Sequence, residues 1–384
     1  MFFSNHEMML LRLIGRCKSL PCDVLVRYPG VYMTSECCLD GLIKRKLLYL
    51  SSQDSTLRLT TLGFGAAERL GFAPGRDKYA TSDSSELARR NQSAEILFTT
   101  FAAGFDVFAE TGEALRAPST YLPSFALRRS VDGHCLSGTR LNGLANGHDR
   151  AFVFYHVGRI TDGIRPAHEL EIARKLVSCT GGKPILIIYA GNDYLGLAKA
   201  VTTQEEQQRY TNGLVTYRDA YEQFPVPVCL MPCDADGAVQ LRVMCEPDYR
   251  VRLMRAVFGS EYRLPPRELS CCDTMMPDGT AAVLGLDMDA RRIREANTQA
   301  QQHTGKPVAV FVRKCQVKPV WQLLAGYPIP LYSIKDEVLL DTFSWRELLA
   351  IPPLDGYRTP EGQFVDEEAI HRYADAHRVA RKKR

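Results

Sequence analysis

The sequence predicts a multidomain α/β protein, in which a small helical module precedes a larger region of alternating strands and helices. Three observations support this fold class. The 384 residues exceed the size of one ordinary domain. The composition, with 45% hydrophobic and 24% charged residues, is typical of folded globular proteins. Beyond residue 105, short apolar runs of strand length alternate with stretches of helical periodicity.

Three short helices are predicted in residues 1–71. The first is marked by four apolar residues at helical spacing: Met9, Leu10, Leu13 and Ile14. The second follows Pro21 and ends at Pro29. The third is predicted over residues 35–46, because Thr34 and Ser35 provide hydroxyl groups that can accept hydrogen bonds from the free amides at a helix N-terminus.

Helix three has an apolar stripe and is followed by two strand candidates. The stripe consists of Cys38, Leu39, Leu42 and Ile43. The strand candidates, residues 47–50 and 57–60, flank a polar turn and so predict a hairpin. Three helices followed by such a hairpin are the element order of a winged helix, in which helix three enters the major groove of DNA and the hairpin touches the backbone.

We therefore expect residues 1–71 to bind double-stranded DNA. The residues predicted to contact DNA are Thr34, Ser35, Lys44, Arg45, Lys46 and Arg58. The alternative is that the module contacts another protein, because Glu36 and Asp40 offset the basic residues of helix three.

The rest of the chain divides into four predicted segments. Residues 72–104 form a linker and a connecting helix that begins near Ser84 and ends at Gly104. An α/β domain over 105–265 and a second α/β unit over 266–350 precede a C-terminal helix and basic tail, 351–384. The predicted strands are Ala151–His156, Pro184–Tyr189, Val226–Met231, Ala281–Leu286, Pro307–Val312 and Ile329–Ile334. The predicted helices are Ala167–Val177, Glu205–Tyr221 and Arg291–Gln302.

Two stretches of the α/β region share one order of elements. In each, a strand and a helix lead to Gly-Lys-Pro, at Gly182–Pro184 and at Gly305–Pro307, and then to two further strands. This order indicates an internal duplication, although any α/β unit can reuse Gly-Lys-Pro as a helix stop and strand entry. Lys183 does not indicate a phosphate-binding loop, because its glycines follow a helix instead of a strand.

The order of a winged helix, a connecting helix and a compact α/β domain resembles the replication-relaxation family of plasmid and conjugative-element proteins. The stretches that carry the resemblance are Leu59–Gly71, Leu87–Phe101, Leu141–Leu144, Phe152–Tyr155, Glu169–Leu176 and Ile185–Tyr189. The family is similar to restriction endonucleases, in which strand carboxylates and a lysine hold a magnesium ion. Here Gly143, Leu144 and Tyr155–Val157 stand at the positions of the carboxylates, so the resemblance implies a nuclease-like domain without catalysis.

The second α/β unit offers the catalytic candidates Asp278, Asp287 and Asp289, with Lys306 or Lys314 as the accompanying lysine. Three carboxylates that met at one strand end would bind Mg²⁺ and support a metal-dependent DNA nuclease. The competing interpretation is that Asp278 forms a turn and that the other two carboxylates cap a helix. Apart from this Mg²⁺, the sequence predicts no cofactor, and the cysteines lack the spacing of a zinc site.

The remaining expectations concern surroundings and partners. No apolar run is long enough to span a membrane, and the N-terminal stretch reads as a helix and not an export signal, so we expect a cytoplasmic protein. A basic run is either a phosphate contact or a solvated segment: Arg378, Arg381, Lys382, Lys383 and Arg384.

Taken together, these patterns favour a sequence-specific DNA-binding protein of a mobile genetic element that acts in replication, mobilisation or transcriptional control. Its expected partners are double-stranded DNA and proteins of replication or transfer, and a homodimer would fit this mode of binding. A protein-binding scaffold is the further alternative.

Overall fold

The computed structural model describes residues 3–28, 36–52, 54–70, 84–130, 136, 138–157, 163–203, 214–349, 357–358 and 364–365. The chain is of mixed α/β type and divides into two compact units. Unit 1 comprises residues 1–98 and 351–384, and unit 2 comprises residues 99–350. In the described ranges, no helix has both the length and the apolar character that a membrane span requires.

Unit 1 begins with helices and a small antiparallel sheet. Its elements up to residue 70 are β1 (Phe3–Ser4), α1 (Asn5–Cys17), β2 (Leu20–Pro21), α2 (Cys22–Val26), α3 (Glu36–Lys44), β3 (Leu48–Ser51), β4 (Thr56–Leu59) and α4 (Thr61–Arg69). Strands β3 and β4 form the predicted hairpin. Strand β2, which was not predicted, pairs with the other edge of β4 and gives the order β2-β4-β3.

Local interactions explain where α1 begins and where α3 ends. At the start of α1, Ser4 Oγ accepts from Glu7 N and the Glu7 carboxylate accepts from Ser4 N, which together form a capping box. Helix α3 ends at Lys44, two residues before the predicted end, because Lys46 has a positive φ of 58° and turns the chain into β3.

The core of unit 1 follows the predicted pattern in α1 and departs from it in α3. Leu10, Leu13 and Ile14 are fully buried, as helical spacing predicts. In α3, Leu42 is fully buried, whereas Leu39 and Ile43 are only partly covered. The core-facing stripe of α3 is therefore narrower than its sequence suggests, and the side chain of Cys38 lies outside the described residues.

The C-terminal segment contributes strands to unit 1. Strand β14 (Tyr357–Arg358) pairs antiparallel with β1 and with β15 (Phe364–Val365), giving the order β1-β14-β15. Segment 351–384, which we expected to stand alone, thus belongs to the N-terminal unit. Its predicted helix and its basic run lie outside the described residues.

Helix α5 (Ser84–Ala102) is the predicted connecting helix, and it contains the boundary between the two units. It ends as expected before Gly104, whose φ of 92° requires glycine-like freedom. The linker residues 71–83 lie outside the described part of the chain.

Unit 2 contains two mixed sheets. Elements of the first are β5 (Thr120–Pro123), α6 (Ser124–Ser130), β6 (Gly143–Asn146), β7 (Ala151–His156), α7 (Pro166–Val177), β8 (Ile185–Gly191), α8 (Tyr194–Thr202), α9 (Tyr217–Gln223), β9 (Val228–Pro232), α10 (Ala235–Cys245) and α11 (Tyr249–Phe258). Elements of the second are β10 (Thr274–Met275), β11 (Ala281–Leu284), α12 (Ala290–Thr304), β12 (Ala309–Arg313), α13 (Val317–Leu323), β13 (Leu331–Ile334) and α14 (Asp336–Phe343).

The two sheets of unit 2 repeat one topology. Strands β6, β7, β8 and β9 lie in that order, with one antiparallel pairing followed by two parallel ones. Strands β10, β11, β12 and β13 have the same order and the same senses of pairing. In both sheets the helix between the second and third strands, α7 or α12, ends just before Gly-Lys-Pro.

The lysines of the two Gly-Lys-Pro sequences make matching contacts. Lys183 Nζ donates to Asn146 Oδ1 at 2.8 Å, at the end of β6, and to Gly147 O at 2.7 Å, in the turn between β6 and β7. Lys306 Nζ donates to Asp278 O at 2.8 Å, in the turn between β10 and β11. Each lysine thus joins the start of a parallel strand to the turn of the neighbouring antiparallel pair.

All six predicted strands of the α/β region are present, with ends that shift by a few residues. The predicted helix 205–221 is found only as α9, and residues 205–213 of it lie outside the described part. Helices α6, α8, α10, α11, α13 and α14 were not predicted. Helix α10 illustrates the reason, because eight of its residues are buried and a helix covered on most sides has no single apolar stripe to detect in the sequence.

Candidate nucleic-acid interface

Arg45, predicted to contact DNA, holds α3 against the start of α1. Its guanidinium forms an ion pair with the Glu7 carboxylate and lies 5.2 Å from the centre of the Phe3 ring. Its Nε also donates to Gly41 O at 3.1 Å. Because these contacts neutralise and fix the guanidinium, Arg45 stabilises unit 1 and keeps little charge for a phosphate.

Arg58, the predicted hairpin contact, is bound inside the β3–β4 hairpin. Its guanidinium pairs with Asp54, and its Nε donates to Thr56 Oγ1 at 3.0 Å, which leaves the side chain 13% exposed. Burial raises the pKa of Asp54, but hydrogen bonds from Ser51, Thr56 and Arg58 and the charge of Arg58 bring it below its ordinary value. Arg58 therefore shapes the turn.

Lys44 and Lys46 are exposed at the end of α3, as predicted, and neither forms an ion pair with a described residue. Thr60 Oγ1 donates to Lys46 O at 2.5 Å and fixes this corner against the hairpin. The other two predicted residues of helix three, Thr34 and Ser35, lie outside the described residues.

Two further exposed residues adjoin these lysines. Tyr49 and Leu50 on the edge strand β3 are 40% and 54% exposed. Sequence reasoning assigned their run to a strand but did not consider its outer surface. We define the candidate interface as Lys44, Lys46, Tyr49 and Leu50, which combine positive charge with an aromatic ring and an apolar side chain.

The acidic candidates of unit 2 do not converge. Asp278 lies in the turn before β11, whereas Asp287 and Asp289 follow that strand. The expectation that three carboxylates meet at one strand end is therefore corrected, because the length of β11 separates Asp278 from the other two.

Asp287 is paired with cations of its own chain. It is 1% exposed, Arg250 forms an ion pair with its carboxylate, and Arg292 lies 3.8 Å away. Tyr249 Oη donates to the same carboxylate at 3.3 Å. Burial raises the pKa of Asp287, but the two guanidinium groups hold it below its ordinary value. A carboxylate neutralised in this way has no free charge for Mg²⁺.

The other candidates form local structure. Asp289 caps α12, with its Oδ1 accepting from Arg291 N at 3.1 Å and Arg292 N at 3.2 Å. Burial and the charge of Asp287 raise the pKa of Asp289. Asp278 accepts from Thr280 N at 3.0 Å, and Lys306 lies 3.7 Å from its carboxylate. The turn and cap interpretation thus describes their contacts.

The first sheet of unit 2 carries a polar cluster that sequence reasoning missed. Tyr155 on β7, Tyr189 on β8 and Glu169 on α7 are buried. The Tyr189 hydroxyl has no hydrogen-bond partner among the described residues, whereas the Tyr155 hydroxyl lies close enough to the Glu169 carboxyl to interact with it. Glu169 Oε1 accepts from Arg140 N at 2.7 Å. The signal was an acid on the buried stripe of α7, at helical spacing from Ile172 and Ala173.

No protein-family model, curated protein or solved structure matches the chain. The geometry of the described residues is therefore the basis for a functional conclusion. Strands β6 and β7 carry Gly143, Leu144, Tyr155 and His156 without a carboxylate, and in the second sheet Asp287 is bound by arginines. Among the sequence-predicted sites, the candidate interface alone retains exposed, unneutralised charge within the described residues.

Proposed function

We propose that unit 1 is a winged-helix domain that binds double-stranded DNA in a sequence-specific manner. The observation that carries the proposal is the order of α1, β2, α2, α3, β3 and β4 with the sheet order β2-β4-β3. In a winged helix, the third helix reads the major groove and the hairpin lies along the backbone. Here α3 and the β3–β4 hairpin take these two roles.

The contacts of unit 1 divide its basic residues into two groups. Arg45 and Arg58 hold α3 and the hairpin in place through Glu7 and Asp54. Lys44 and Lys46 remain exposed for phosphates, and Tyr49 and Leu50 add contact surface on the hairpin. Sequence preference would come from base contacts of α3, whereas the lysines supply affinity.

The α/β unit is proposed to be nuclease-like in ancestry and inactive. Its candidate carboxylates are separated by β11 or bound by arginines, and no described contact favours hydrolysis. The resemblance to replication-relaxation proteins further suggests a site near an origin of replication or transfer, where binding would assist replication or mobilisation or repress transcription. Replication or transfer proteins and a second copy of the chain are partners that fit this role.

Duplex binding tests the proposal directly. The full chain should bind DNA from upstream of its own gene more tightly than a scrambled duplex, and the affinity should fall as salt rises, because bound phosphates release counterions. A Lys44→Gln/Lys46→Gln variant should bind more weakly, with the logarithmic salt slope reduced by ~2, about one for each lysine.

The matched control is Lys314→Gln/Lys318→Gln, which removes two exposed lysines of unit 2 and should leave binding unchanged. Fluorescence anisotropy at four salt concentrations measures all three proteins. Equal binding of both duplexes would contradict sequence-specific recognition, and no binding at low salt would favour a protein-binding scaffold. Cleavage of the duplex in Mg²⁺ would overturn the inactive assignment.

A further inference from the structure

We infer that unit 2 carries a second nucleic-acid contact, a short helical face that binds single-stranded DNA. The face consists of Lys314, Lys318 and Trp321, and we call it the lysine–tryptophan face. It shares no residue with the candidate interface of unit 1, and only the choice of DNA over RNA rests on the proposed function.

The three side chains lie on one side of a continuous helical segment. The segment runs from a short 3₁₀ helix, Lys314–Gln316, into α13. Residues three and four apart are neighbours on a helix surface, so Lys314, Lys318 and Trp321 follow one another along the exposed side. The opposite side of the segment is buried and consists of Gln316, Pro319, Val320 and Leu323.

Trp321 presents an uncovered ring to solvent. It is 71% exposed, more than any other aromatic side chain among the described residues. The other tryptophan, Trp345, stacks on Phe343 at 4.9 Å between ring centres and has the Arg242 guanidinium 4.0 Å from its own ring centre. Within the described residues, no ring or guanidinium covers Trp321 in this way. Its flat surface is therefore open to a planar partner.

The repeat within unit 2 indicates that the fold does not require these side chains. Helices α8 and α13 both begin ten residues after the proline of their Gly-Lys-Pro sequence. Counted from that proline, the lysine–tryptophan face corresponds in the first sheet to Gly191, Leu195 and Ala198. A helix at this place thus folds without a base or an aromatic ring. An exposed indole also buries little apolar surface, so packing does not account for it.

The charge at this end of β12 is positive. Neither Lys314 nor Lys318 forms an ion pair with a described residue. Two carboxylates at the same strand end, Asp236 and Asp336, each lie 3.0 Å from the Arg313 guanidinium. The three bases outnumber these two carboxylates, so a surplus of positive charge remains for a phosphate.

A single strand of DNA fits this combination of groups. Its phosphates bind lysines, and its bases, unlike those of a duplex, expose flat surfaces that stack on aromatic rings. The face also follows the parallel strand β12, and ligands of open α/β sheets bind beyond the carboxyl ends of such strands. A protein partner is a poorer match, because one ring and two lysines are far smaller than the ~800 Å² that a stable protein interface buries on each side.

Fluorescence anisotropy of labelled oligo(dT) tests the inference in the full chain. Trp321→Ala should weaken binding by about 5- to 150-fold, the effect of losing one stacked base. Lys314→Gln/Lys318→Gln should lower the logarithmic salt slope by ~1.4, since each phosphate contact of a single strand contributes about 0.7. In a Trp345→Phe background Trp321 is the sole tryptophan, and oligo(dT) should quench its fluorescence.

The matched control is Arg263→Gln/Leu264→Ala/Arg267→Gln, beside the opposite edge strand β10. It removes two exposed bases and an apolar side chain that is 69% exposed, and it should bind oligo(dT) like the native chain. Equal melting temperatures establish that each variant is folded. An equal loss in control and face variants, no quenching of Trp321, or no binding of oligo(dT) at low salt would overturn the inference.

Two further probes test the choice of ligand. Tighter binding of oligo(rU) than of oligo(dT) would overturn the assignment to DNA. Binding of phosphatidylserine vesicles in place of oligo(dT) would overturn the inference in favour of a membrane surface.

This inference and the proposed function fail separately. Lys44→Gln/Lys46→Gln should bind oligo(dT) like the native chain, and Trp321→Ala should bind the specific duplex like the native chain. A native chain that binds oligo(dT) but no duplex contradicts the proposed function alone. One that binds the duplex but not oligo(dT) contradicts this inference alone.

Discussion

Glu169 occupies a position that is apolar in the second sheet of unit 2. It is the fourth residue of α7, as Ile293 is of α12. Tyr155 of β7 pairs with Tyr189 of β8, and continuing the pairing of Leu284 with Phe311 by one residue sets Gly285 beside Val312. In the second sheet the surroundings of Gly285 are apolar, since a Cβ added there would meet Val310 at 2.9 Å, Val312 at 3.1 Å and Ile293 at 3.3 Å.

The first sheet therefore places three buried polar groups where the second has an apolar contact. A buried carboxyl without a full set of hydrogen bonds costs free energy when it ionises. Burial accordingly raises the pKa of Glu169, and the backbone N–H of Arg140, the hydroxyl of Tyr155 and the charges of His168 and Arg140 oppose this effect only in part. An internal water molecule is the natural partner for such groups.

We predict that Glu169→Gln stabilises the protein at high pH. A carboxyl whose pKa is higher in the folded than in the unfolded state contributes stability below its unfolded pKa and loses it as pH rises. The variant should therefore exceed the native chain in stability at pH 8, and the difference should vanish towards pH 4. Urea unfolding at several pH values measures this, and a constant difference would contradict the assignment.

For Asp287, the dependence of stability on pH has the opposite sign. Because Arg250 and Arg292 lower its pKa in the folded state, its ionised form stabilises the fold above the unfolded pKa, and this stability is lost as pH falls. Asp287→Asn should cost about 3–5 kcal/mol at pH 7, since it leaves two cations beside a neutral group. If Asp287 were instead a free metal ligand, the substitution would change stability little and Mg²⁺ would stabilise the native chain.

At the scale of elements, α4 packs closely on the start of the hairpin. A Cβ on Gly63 would lie 2.1 Å from Leu47 O, whereas one on Gly65 would meet only the Arg69 guanidinium, at 3.8 Å. Gly63→Ala should therefore destabilise unit 1 by about 1–3 kcal/mol. Gly65→Ala in the same helix should stabilise it by up to ~1 kcal/mol. Denaturant unfolding followed by circular dichroism compares the two, and equal effects would contradict the close approach.

The lysines of the two Gly-Lys-Pro sequences allow a second comparison of paired substitutions. Lys183 satisfies Asn146, which is fully buried, so Lys183→Met should cost about 1–3 kcal/mol. Lys306 and Asp278 are both exposed, so Lys306→Met should cost at most about 1 kcal/mol. Unfolding in urea tests both substitutions in the full chain. If the two substitutions lowered the free energy of unfolding equally, the burial of Asn146 would not explain the strength of the Lys183 contact.

Elements with a periodic pattern could be predicted from the sequence, and elements without one could not. The spacing of Leu10, Leu13 and Ile14 located α1, and α7 begins and ends within one residue of its prediction. Helix α10 is buried on all sides, and β2 has two residues, so neither leaves a periodic signal. The ion pairs of Arg45 and Arg58 could not be predicted from the sequence either. Glu7 is distant from Arg45 in sequence, and an Asp–Arg pair within a turn has no distinctive pattern.

At the scale of the whole molecule, two divisions of the chain differ from the prediction. The predicted segments 105–265 and 266–350 lie in one compact unit, in which α8 packs against α13 and Gln316 Nε2 lies 3.3 Å from Tyr194 Oη. Segment 351–384 joins unit 1 through β14. Pairing between residues so distant in sequence depends on strands of two residues, which have no periodicity to detect.

We predict that ending the chain after residue 350 lowers the melting temperature of unit 1 and leaves that of unit 2 unchanged. The truncation removes β14 and β15 and uncovers β1. A loss of only ~1 kcal/mol shifts the midpoint of a domain of this size by about 3–4 °C. Calorimetry should resolve two transitions. A chain ending after residue 365 is the control and should melt like the native protein, whereas equal melting of both truncations would contradict a stabilising role for β14.

The pairing of β1 with β14 also sets the order in which the protein is completed during its synthesis. Phe3 is synthesised 355 residues before its partner Arg358. At ordinary rates of elongation, this delay is roughly 20–70 s. Unit 2 is fully synthesised within that interval, whereas the outer sheet of unit 1 forms only after residue 365 has emerged. Of the two units, unit 1 is thus the one whose helices are made first and whose sheets are completed last. A chain that is released before residue 357 carries α3 in a unit that lacks β14 and β15.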